Sequence, residues 1–578
     1  MKNIRATLAI VWRIATPYFR SDDKWAGGIL LAAVIAIELA LVGTDVLINQ
    51  WRNRFYTALQ EVNYNGFVRE MIVFIVLATV SVGLSVYQLY LNQWLQIRWR
   101  NWLTIRYLGE WLHDANHYRM QLQGDAADNP DQRMSDDTKL FVERTLEVGL
   151  GLLSSVVEFL SFVVILWGLS EVAPLHLFGY HIHGYLVWAA LIYSIFGTLL
   201  TQWIGSPLVN LDFEQQRREA DFRFNLVRVR ENSEQIALLD GDRTERARLL
   251  DRFSHVVSNW YAIMIRTKRL TAFTQSYTQA AVIIPIVLVA PALFAGKILI
   301  GTLLQAAEAF GNVQKALSFF VGIYRSMAEW RAVVARLDGF EMSVESAAHL
   351  KSGGAISLAI PGGSHDIDLK QLLVRLPNGT PLISASDFRI HPGERLLVNG
   401  PSGAGKSTLF RAIAGIWPFG NGSISVPAQA SLMMLPQKPY FPIGTLHAAI
   451  AFPSDASAFS ADQVRQILSE VGLPQLAARI DDQEHWNRIL SLGEQQRLGI
   501  ARALLHAPEF LFLDEATASL DEPSEAALYR LLQAKLPATT VVSIGHRATL
   551  DAYHQRKAGL VREHDHFVLP QATEVAKP

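Results

Sequence analysis

Apolar runs of about twenty residues, each long enough to cross a lipid bilayer, limit most strongly how this chain can fold. A weaker run, 302–327, contains Gln305, Glu308 and Gln314. We interpret it as a helix that lines a polar interior, with a cytoplasmic or re-entrant helix as the alternative. Together the runs predict an all-α polytopic membrane domain of six transmembrane helices over 1–342. The stronger runs are confined to the first part of the chain, at 27–48, 71–91, 149–170, 184–205 and 276–301.

The composition agrees with a membrane segment joined to a soluble one. Hydrophobic residues make up 50% of the chain, charged residues 18%, and the mean hydropathy is +0.18, whereas roughly a quarter of the residues in a soluble protein are charged. A net charge of -1 argues against nucleic acid as a partner. The absence of cysteine excludes disulfides, iron–sulfur clusters and thiolate zinc sites. The lipid bilayer is therefore the first partner that the sequence predicts.

The loops between the runs differ in charge, and this difference predicts their orientation. The segment 207–275 is rich in Lys and Arg, whereas 171–183 has neither. Because basic loops stay in the cytoplasm, we expect both termini inside, with 171–183 and 49–70 outside. Helical patterns continue beyond the bilayer into the cytoplasm at 93–120 and 211–239.

Beyond the linker, short β-branched runs alternate with helical patterns. Such alternation is typical of an α/β domain with a largely parallel sheet. We predict this domain over 364–570, after a linker rich in Ser, Ala and Gly at 343–363 and before a disordered tail at 571–578. The predicted strands are 395–399, 432–435, 510–513 and 540–544.

A glycine-rich sequence lies between the predicted strand 395–399 and a helical pattern. Its spacing matches the P-loop, in which backbone N–H groups surround phosphate oxygens, a lysine reaches the β- and γ-phosphates, and a hydroxyl ligates Mg²⁺. Lys406 and Ser407 would fill the last two roles, so ATP and Mg²⁺ are the predicted cofactors. The predicted nucleotide-binding residues are Gly400, Pro401, Ser402, Gly403, Ala404, Gly405, Lys406, Ser407 and Thr408.

Two acidic residues follow the apolar strand 510–513, downstream of the P-loop. They fit the Walker B pattern, in which Asp514 would hold Mg²⁺ through water and Glu515 would act as general base or position the attacking water. An apolar strand that ends in two acids is usually a solvated strand end. The P-loop upstream favours the functional interpretation.

The segment 490–497, Leu-Ser-Leu-Gly-Glu-Gln-Gln-Arg, opens a helical pattern just before the Walker B strand. It resembles the signature sequence of ABC ATPases. Gln437, Asp521 and His546 stand where that family has its Q-loop, D-loop and switch histidine. The resemblance implies that Gln437 and His546 act with Glu515 in catalysis.

The same resemblance implies a metal site and a dimer. The metal site would consist of Ser407, Gln437 and Asp514. Two ATPase domains would face head to tail, so that Ser491 and Gly493 of one subunit meet the γ-phosphate bound by the other. Hydrolysis is then expected to require a homodimer. Glu494 and Asp521 complete the predicted nucleotide-binding set.

Two positions depart from the ABC pattern. The family usually has Gly-Gly-Gln where this chain has Leu492, Gly493 and Glu494, which places an acid beside the phosphate. We expect the acid to weaken the attraction for ATP, although the positive end of a helix can tolerate it. Leu376 stands where the family often has a tyrosine that stacks on adenine, so the residue that stacks on adenine does not follow from the sequence.

Motifs in the membrane half narrow the resemblance to the SbmA/BacA-like group. Within this group the chain resembles the YddA-type proteins and the mycobacterial vitamin B12 and bleomycin transporter, which join such a membrane domain to an ABC ATPase. Peroxisomal D-type ABC half-transporters share the Asn-Pro-Asp-Gln pattern and the altered signature. The resemblance implies that 129–137, predicted as a turn and a helix capped by Ser135, docks on the ATPase. The segments that carry it are 49–60, 98–103, 111–112 and 129–133.

The resemblance implies an ATP-driven homodimeric half-transporter of the bacterial inner membrane, with its ATPase domain in the cytoplasm. Its solutes would be large and hydrophilic, such as cobalamin, bleomycin or antimicrobial peptides, and would move inward. Two alternatives stay open: an exporter of lipid-like or acyl-CoA solutes, and a non-transporting, membrane-anchored ATPase regulator. The sequence specifies neither the transported solute nor import versus export.

Three carboxylates lie within the predicted spans, at Glu38, Glu158 and Glu308. A charge in hydrocarbon costs at least a few kcal/mol, so each must face water, face a partner or be protonated. They serve either as contacts for protons and cationic solutes or as hydrogen-bond partners between helices. Helical geometry places Glu308 and Asn312 on one face and Gln314 only loosely with them. The candidates for the lining of a polar cavity are the three carboxylates, Gln305, Asn312 and Gln314.

Overall fold

The structure is a computed structural model, and it describes residues 2–124, 129–174, 176–177, 180–352, 356–359, 365–427 and 430–575. The chain forms two compact units. One comprises Met1–Leu108 and Asn129–Asp338, and the other comprises Gly109–Asp128 and Gly339–Pro578. The second unit is therefore assembled from two separate stretches of sequence. The predicted boundaries, 1–342 and 364–570, do not anticipate this arrangement.

The first unit, called the membrane unit below, is helical because an apolar chain in lipid can satisfy its backbone polar groups within helices. Among the described residues, five helical stretches are long and apolar enough to cross a membrane. They cover the five strong predicted runs, except that the fourth run begins one residue before its stretch and the fifth run continues beyond the end of its stretch. The stretches are Lys24–Gln60, Tyr64–Leu122, Pro130–Val172, Tyr185–Glu231 and Asp242–Phe294. The helices up to residue 352 are α1 Lys2–Ala15, α2 Lys24–Gln60, α3 Tyr64–Leu112, α4 Asn116–Leu122, α5 Pro130–Gln132, α6 Thr138–Val172, α7 Tyr185–Glu231, α8 Ser233–Leu238, α9 Asp242–Phe294, α10 Ile300–Gly322 and α11 Tyr324–Ser352.

Helix α10 corresponds to the weaker sixth run, and it does not count among the five apolar stretches found in the described residues. It ends at Gly322, so the run predicted to continue to 327 is divided between α10 and α11. Ala309, Phe310 and Val313 are fully buried in a core that also contains residues of α6, α7 and α9. Helix α10 therefore packs in the interior of the membrane unit.

The segment before α6 differs from its prediction. A π-helical turn, Arg133–Asp137, leads directly from α5 into α6. Ser135 lies inside this turn, so the prediction that Ser135 caps the helix is wrong. The turn is held instead by Asp137, which is buried and accepts hydrogen bonds from Arg336 at 2.6 and 2.9 Å.

The second unit, called the α/β unit below, contains two six-stranded sheets. Its helices are α12 Lys406–Ile413, α13 Leu446–Ala451, α14 Ala461–Glu470, α15 Trp486–Ile489, α16 Leu492–His506 and α17 Glu522–Lys535. After a short hairpin in the membrane unit, β1 His176–Leu177 and β2 Tyr180–His181, the strands are β3 Ile356–Ala359, β4 Ile367–Arg375, β5 Pro381–Ile390, β6 Arg395–Asn399, β7 Gly420–Ser425, β8 Leu432–Leu435, β9 Gly444–Thr445, β10 Gln483–Glu484, β11 Phe510–Asp514, β12 Thr540–Ile544, β13 Arg556–Gly559, β14 Val561–Glu563, β15 His566–Val568 and β16 Thr573–Glu574.

One of these sheets positions the site. Its strand order is β16-β13-β6-β12-β11-β8, and the neighbours from β13 to β8 pair in parallel. The four predicted strands match β6, β8, β11 and β12. Parallel strands end at one edge of a sheet, so the residues that follow β6, β11 and β12 come together there. The other sheet, in the order β14-β15-β5-β4-β7-β3, covers the P-loop side of the core through Ile383 and Phe388.

Helix α4 belongs to the α/β unit although it lies far from the rest of that unit in sequence. Leu122 packs against the buried cluster that includes Phe410 and Phe512. Gln123 donates a hydrogen bond to the hydroxyl of Ser346 at 2.9 Å. The polar and apolar contacts together explain why Gly109–Asp128 groups with this unit.

The linker and the tail also differ from their predictions. The predicted linker, 343–363, is helical up to Ser352 and contributes β3 to the second sheet. Its Ser and Ala residues are compatible with a helix, which is why composition alone gave the wrong answer. The predicted tail, 571–578, contributes β16, which pairs with β13 and so orders a terminal segment that looks disordered by composition. Positions 353–355, 360–363 and 576–578 of these two segments lie outside the described residues.

Candidate active site

The P-loop follows β6 at the carboxyl edge of the parallel sheet. Gly405 precedes α12 with a φ of +88°, and a Cβ at this position would lie 2.7 Å from the side chain of Leu382. Only glycine combines that backbone angle with so close a neighbour. The backbone at the start of α12 is therefore shaped as the motif requires.

Lys406 is buried within the P-loop, 6% exposed. Its Nζ donates hydrogen bonds to the carbonyls of Gly400 and Pro401, both at 2.9 Å. Burial lowers the pKa of Lys406, and the nearby Glu515 and Asp514 carboxylates oppose this shift. The ammonium group thus lies between the phosphate-binding loop and the two predicted acidic residues.

Ser407 and Asp514 meet across the edge of the sheet. The Ser407 hydroxyl donates a hydrogen bond to Asp514 Oδ1 at 2.9 Å. Burial raises the pKa of Asp514, while the hydrogen bond from Ser407 acts in the opposite direction. A hydroxyl and a carboxylate are oxygen ligands of the kind that Mg²⁺ prefers. Two of the three residues that the sequence predicts as metal ligands therefore lie side by side and fit that cation.

Glu515 and His546 form the next pair along the edge. His546 Nε2 and Glu515 Oε1 are 3.1 Å apart. Glu515 has a φ of +51°, a left-handed angle that costs a non-glycine residue on the order of 1 kcal/mol or more. Its backbone N–H donates to the carbonyl of Ile544 at 3.2 Å, which holds the strained residue against β12. The backbone turn aims the carboxylate at the switch histidine.

Helix α16 begins with a capping box at the signature sequence. Ser491 Oγ accepts the backbone N–H of Glu494 at 3.3 Å, and Glu494 Oε2 accepts the backbone N–H of Ser491 at 2.9 Å and its hydroxyl at 2.8 Å. Such reciprocal bonds satisfy orphan donors at a helix start. The acid that departs from the usual signature thus has a structural role that the sequence interpretation did not include. Gly493 lies beside it, in the first turn of the helix.

Gln496 connects two loops of the site, the one with Gln437 and the one with Glu515 and Ser519, and it was not among the residues predicted from the sequence. Its Nε2 donates to the carbonyl of Gln437 at 3.0 Å and lies 3.5 Å from the carbonyl of Glu515. Its Oε1 accepts the backbone N–H of Ser519 at 3.0 Å. The side chain is 1% exposed. The sequence did contain a signal for this role: Gln496 lies on the core-facing side of the helical pattern, and a buried amide needs hydrogen-bond partners nearby.

Two further predicted residues, Gln437 and Asp521, are exposed. Gln437 follows β8, and its side chain is open to solvent. Asp521 stands at the N-cap of α17, where the Ser524 hydroxyl lowers its pKa. Arg547, which was also not predicted, donates to the carbonyl of Leu520 at 2.8 Å and to Glu525 Oε2 at 3.1 Å. The residue after the switch histidine therefore fixes the backbone just before Asp521.

Leu376 stays where the sequence placed it, in a turn closed by a hydrogen bond from Gly379 N–H to its carbonyl at 2.8 Å. Its side chain is partly buried against the core of the α/β unit. An aliphatic side chain offers no π-face to an adenine ring. Leu376 therefore cannot stack on adenine as a tyrosine does.

A cavity of about 870 Å³ lies in the membrane unit. It brings together the predicted residues Glu158, Glu308, Asn312 and Gln314. Gln314 lines the same cavity as Glu308, although its angle on the helix had suggested only a loose association. Two cations that were not predicted, Arg52 and Lys315, complete the charged lining.

Two of the predicted cavity residues lie elsewhere. Gln305 is buried and accepts a hydrogen bond from Asn53 at 2.7 Å. Glu38 accepts a hydrogen bond from Gln88 at 3.0 Å. Both act as partners between helices, which is the structural alternative considered for such groups.

A helical membrane unit and a P-loop unit with a signature helix define the class of ABC transporters. The family model of ABC transporter transmembrane region 2 matches residues 14–294, and the ABC transporter model matches residues 383–518. An uncharacterized ABC transporter ATP-binding protein of Haemophilus influenzae is 36% identical over 94% of this chain and 91% of its own length. The inner membrane ABC transporter ATP-binding protein YddA of Escherichia coli is 33% identical, over 94% and 96% of the two chains.

Two further similarities are more remote. The human lysosomal cobalamin transporter ABCD4 is 25% identical over 87% of this chain and 86% of its own length. A bacterial Atm1-family ABC exporter with ATP bound has the same fold, with a TM-score of 0.72, 17% identity and coverage of 94% and 95% of the two chains. The chain belongs to the ABC transporter family, as a half-transporter of the D-family and YddA type. It binds ATP, and its ATPase activity is coupled to transport.

Proposed function

We propose that two copies of this chain form a homodimer that hydrolyses ATP to import large hydrophilic solutes across a bacterial inner membrane. The cavity of about 870 Å³ carries this proposal, because its partly apolar walls also hold two carboxylates, two cations and two amides. Charged and amide side chains within a membrane are costly, and they are retained where water or polar cargo passes. Cobalamin, bleomycin and antimicrobial peptides are the proposed types of solute, in keeping with an SbmA/BacA-like origin of the membrane unit.

The proposed reaction is the attack of water on the γ-phosphorus of ATP. Glu515 takes a proton from the attacking water, the bond between the γ-phosphorus and the bridging oxygen of ADP breaks, and phosphate forms. His546 keeps the Glu515 carboxylate in position through their contact of 3.1 Å. Lys406 stabilises negative charge on the β- and γ-phosphates. Each of these roles follows from the position of the residue at one edge of the sheet.

Ser407 and Asp514 would hold Mg²⁺, with Gln437 completing the set of oxygen donors. Bound there, the cation would neutralise phosphate charge. The contact of 2.9 Å between Ser407 and Asp514 supports this assignment, because the two oxygens already point to one place. The remaining P-loop residues supply backbone N–H groups to the phosphates.

A head-to-tail dimer would complete each ATP site. Backbone N–H groups at the start of α16 are free to bind an anion beyond those that the capping box satisfies. We propose that Ser491 and Gly493 face the γ-phosphate held by the P-loop of a second copy, with Asp521 beside them. Glu494, engaged in its cap, would keep its charge near the helix N-terminus that stabilises it.

Similarity to D-family ABC transporters favours a second candidate function, the export of lipid-like or acyl-CoA solutes. The relative named as a lysosomal cobalamin transporter supports a polar solute instead. A membrane-anchored regulator without transport is disfavoured, because the chain keeps Lys406, Asp514, Glu515 and His546 at one site. The charged cavity favours the polar solute over the lipid-like one.

The test is vectorial transport in membrane vesicles. Right-side-out vesicles loaded with ATP should accumulate cobalamin, bleomycin or a cationic peptide, and vesicles that carry Glu515→Gln should not. Inside-out vesicles supplied with external ATP should fail to accumulate the same solutes. Accumulation of acyl-CoA by inside-out vesicles, with no movement of the polar solutes, would overturn the proposal in favour of export.

A further inference from the structure

The cavity of the membrane unit has balanced charges. Its lining contains the cations Arg52 and Lys315 and the anions Glu158 and Glu308. A polyanionic solute would meet two like charges as well as two opposite ones, so the cavity offers it no net attraction. A solute with one positive and one negative group would find a partner for each.

Glu308 is already neutralised by the protein. Arg52 Nη2 lies 3.1 Å from Glu308 Oε1, and Asn49 Nδ2 donates to Glu308 Oε2 at 3.0 Å. Asn49 is fully buried, so its hydrogen bond to Glu308 is part of the packing between α2 and α10. Glu308 and Arg52 therefore form a structural pair, and the charge left for a solute lies elsewhere in the cavity.

Glu158 and Lys315 are the charged groups that remain. Glu158 lies on α6 and Lys315 on α10, so they belong to different walls of the cavity. Within the part of the chain that the structure describes, neither side chain takes part in a hydrogen bond or a close ion pair. Lys315 lies within electrostatic range of Glu158 and of Asp45 on α2. Neutral polar groups surround them: Ser154, Ser155, Asn312 and Gln314.

We propose that Glu158 and Lys315 form a binding site for zwitterionic solutes, in which Glu158 receives an ammonium group and Lys315 receives a carboxylate. The inference rests on the proposed function and specifies its solute class. Charge-assisted hydrogen bonds to each end would exceed the weak attraction that the two side chains exert on each other at a distance. Short peptides with free termini carry both groups.

One peptide in three charge forms tests the site. The forms are the free peptide, its N-acetylated derivative, which lacks the ammonium group, and its C-terminal amide, which lacks the carboxylate. The purified full-length protein in lipid nanodiscs is titrated with each form, and the readout is the concentration that gives half-maximal stimulation of ATP hydrolysis. We expect the free peptide to act at a concentration about tenfold lower than either derivative, the effect of one charged hydrogen bond.

Two variants separate the two ends of the site. Glu158→Gln should weaken the free peptide and the amide by about tenfold and leave the N-acetylated form unchanged. Lys315→Met should weaken the free peptide and the N-acetylated form and leave the amide unchanged. Glu61→Gln and Lys297→Met remove the same charges from exposed turns outside the cavity and should shift none of the three forms.

The pattern across the three forms decides the outcome. Equal stimulation by all three forms in the natural chain, or an equal change in all three in either variant, would overturn the zwitterion site while leaving transport of polar solutes in place. Stimulation by acyl-CoA and by none of the peptides or cobalamin would overturn both this inference and the proposed function. A variant that no longer binds ATP is replaced by Glu158→Asp or Lys315→Arg, which keep the charge and should keep the preference.

Discussion

Gln496 accepts the backbone N–H of Ser519 in a hydrogen bond of 3.0 Å, and thereby joins the signature helix to the loop before Asp521. The same amide donates to the carbonyl of Gln437 at 3.0 Å. Because Gln496 is 1% exposed, its amide depends on these protein partners for its hydrogen bonds. The loop that carries Gln437 and the loop that carries Glu515 and Ser519 are thus held by one buried side chain.

Gln496→Leu should lower the rate of ATP hydrolysis without a matching loss of ATP binding. The change removes two hydrogen bonds to backbone groups, at about 0.5–1.5 kcal/mol each, and loosens the loops that position Glu515. We expect kcat to fall by at least tenfold and the Kd of ATP to change by less than threefold. Gln533→Leu, which removes a hydrogen bond of 3.2 Å to the carbonyl of Tyr553 away from the site, is the matched control. A parallel loss in both variants would assign Gln496 to general stability.

Glu515→Gln should stop turnover and retain ATP. The amide preserves size but cannot accept the proton of the attacking water, and loss of a general base costs roughly 10²–10⁴-fold in rate. Lys406→Ala should instead weaken nucleotide binding. Steady-state hydrolysis and equilibrium ATP binding distinguish the two effects, and Glu522→Gln, an exposed acid at the start of α17, should change neither. Hydrolysis close to the natural rate in the Glu515 variant would remove this residue from the mechanism.

Glu494→Gln should preserve the capping box, because a glutamine side chain also accepts the Ser491 N–H. It removes a negative charge beside the γ-phosphate, so we expect intact turnover with an equal or lower KM for ATP, alone or with Leu492→Gly. Glu494→Ala should lose the cap, at about 1 kcal/mol, and should lower the midpoint of thermal unfolding. A collapse of hydrolysis in the glutamine variant, with unchanged thermal stability, would show that the carboxylate has a chemical role.

Acidification should destabilise the α/β unit through His554. Burial lowers the pKa of His554 to about 4, and its ring nitrogens contact the carbonyl of Leu550 and the hydroxyl of Ser543, both at 2.8 Å. In the unfolded chain His554 has a pKa near 6.5 and binds the proton more readily. Its contribution to the free energy of unfolding is therefore complete above about pH 6.5 and falls by up to about 3 kcal/mol as the pH decreases toward 4.

His554→Gln should flatten this dependence. The measurement is the midpoint of thermal unfolding at pH 7.5 and 5.5, compared between the natural chain and the variant. His391→Gln, at an exposed histidine, serves as control and should keep the natural slope. An equal decrease in midpoint for all three proteins would assign the acid sensitivity to other groups.

The strands and the P-loop were predictable because their signals are local. A short run of apolar residues before Gly400 and before Asp514 indicates a buried strand and the loop after it. Gln496 and Arg547 were not predictable, because their role depends on partners that the fold brings from distant positions. Composition misassigned the linker, and a local capping signal misassigned Ser135, since a serine fits a cap, a π-turn and a loop equally well.

The cavity shows the same limit. Periodicity placed Glu308 and Asn312 on one face of α10, and the structure gives both to one cavity. The periodicity of the sequence could not reveal that Arg52, from another helix, pairs with Glu308 at 3.1 Å. The charges that remain for a solute can therefore be identified only once the packing of α2, α6 and α10 is known.

Helix α4 has a consequence for how such proteins can be rearranged. Leu122 belongs to the apolar core of the α/β unit, although the gene encodes it between two membrane helices. A recombination event at the junction near residue 343 would exchange one part of that unit and leave the other behind. Chimeras between paralogues should therefore retain solubility and ATP turnover only when the segment 109–128 and the ATPase segment come from the same parent protein. These two segments must therefore be inherited together.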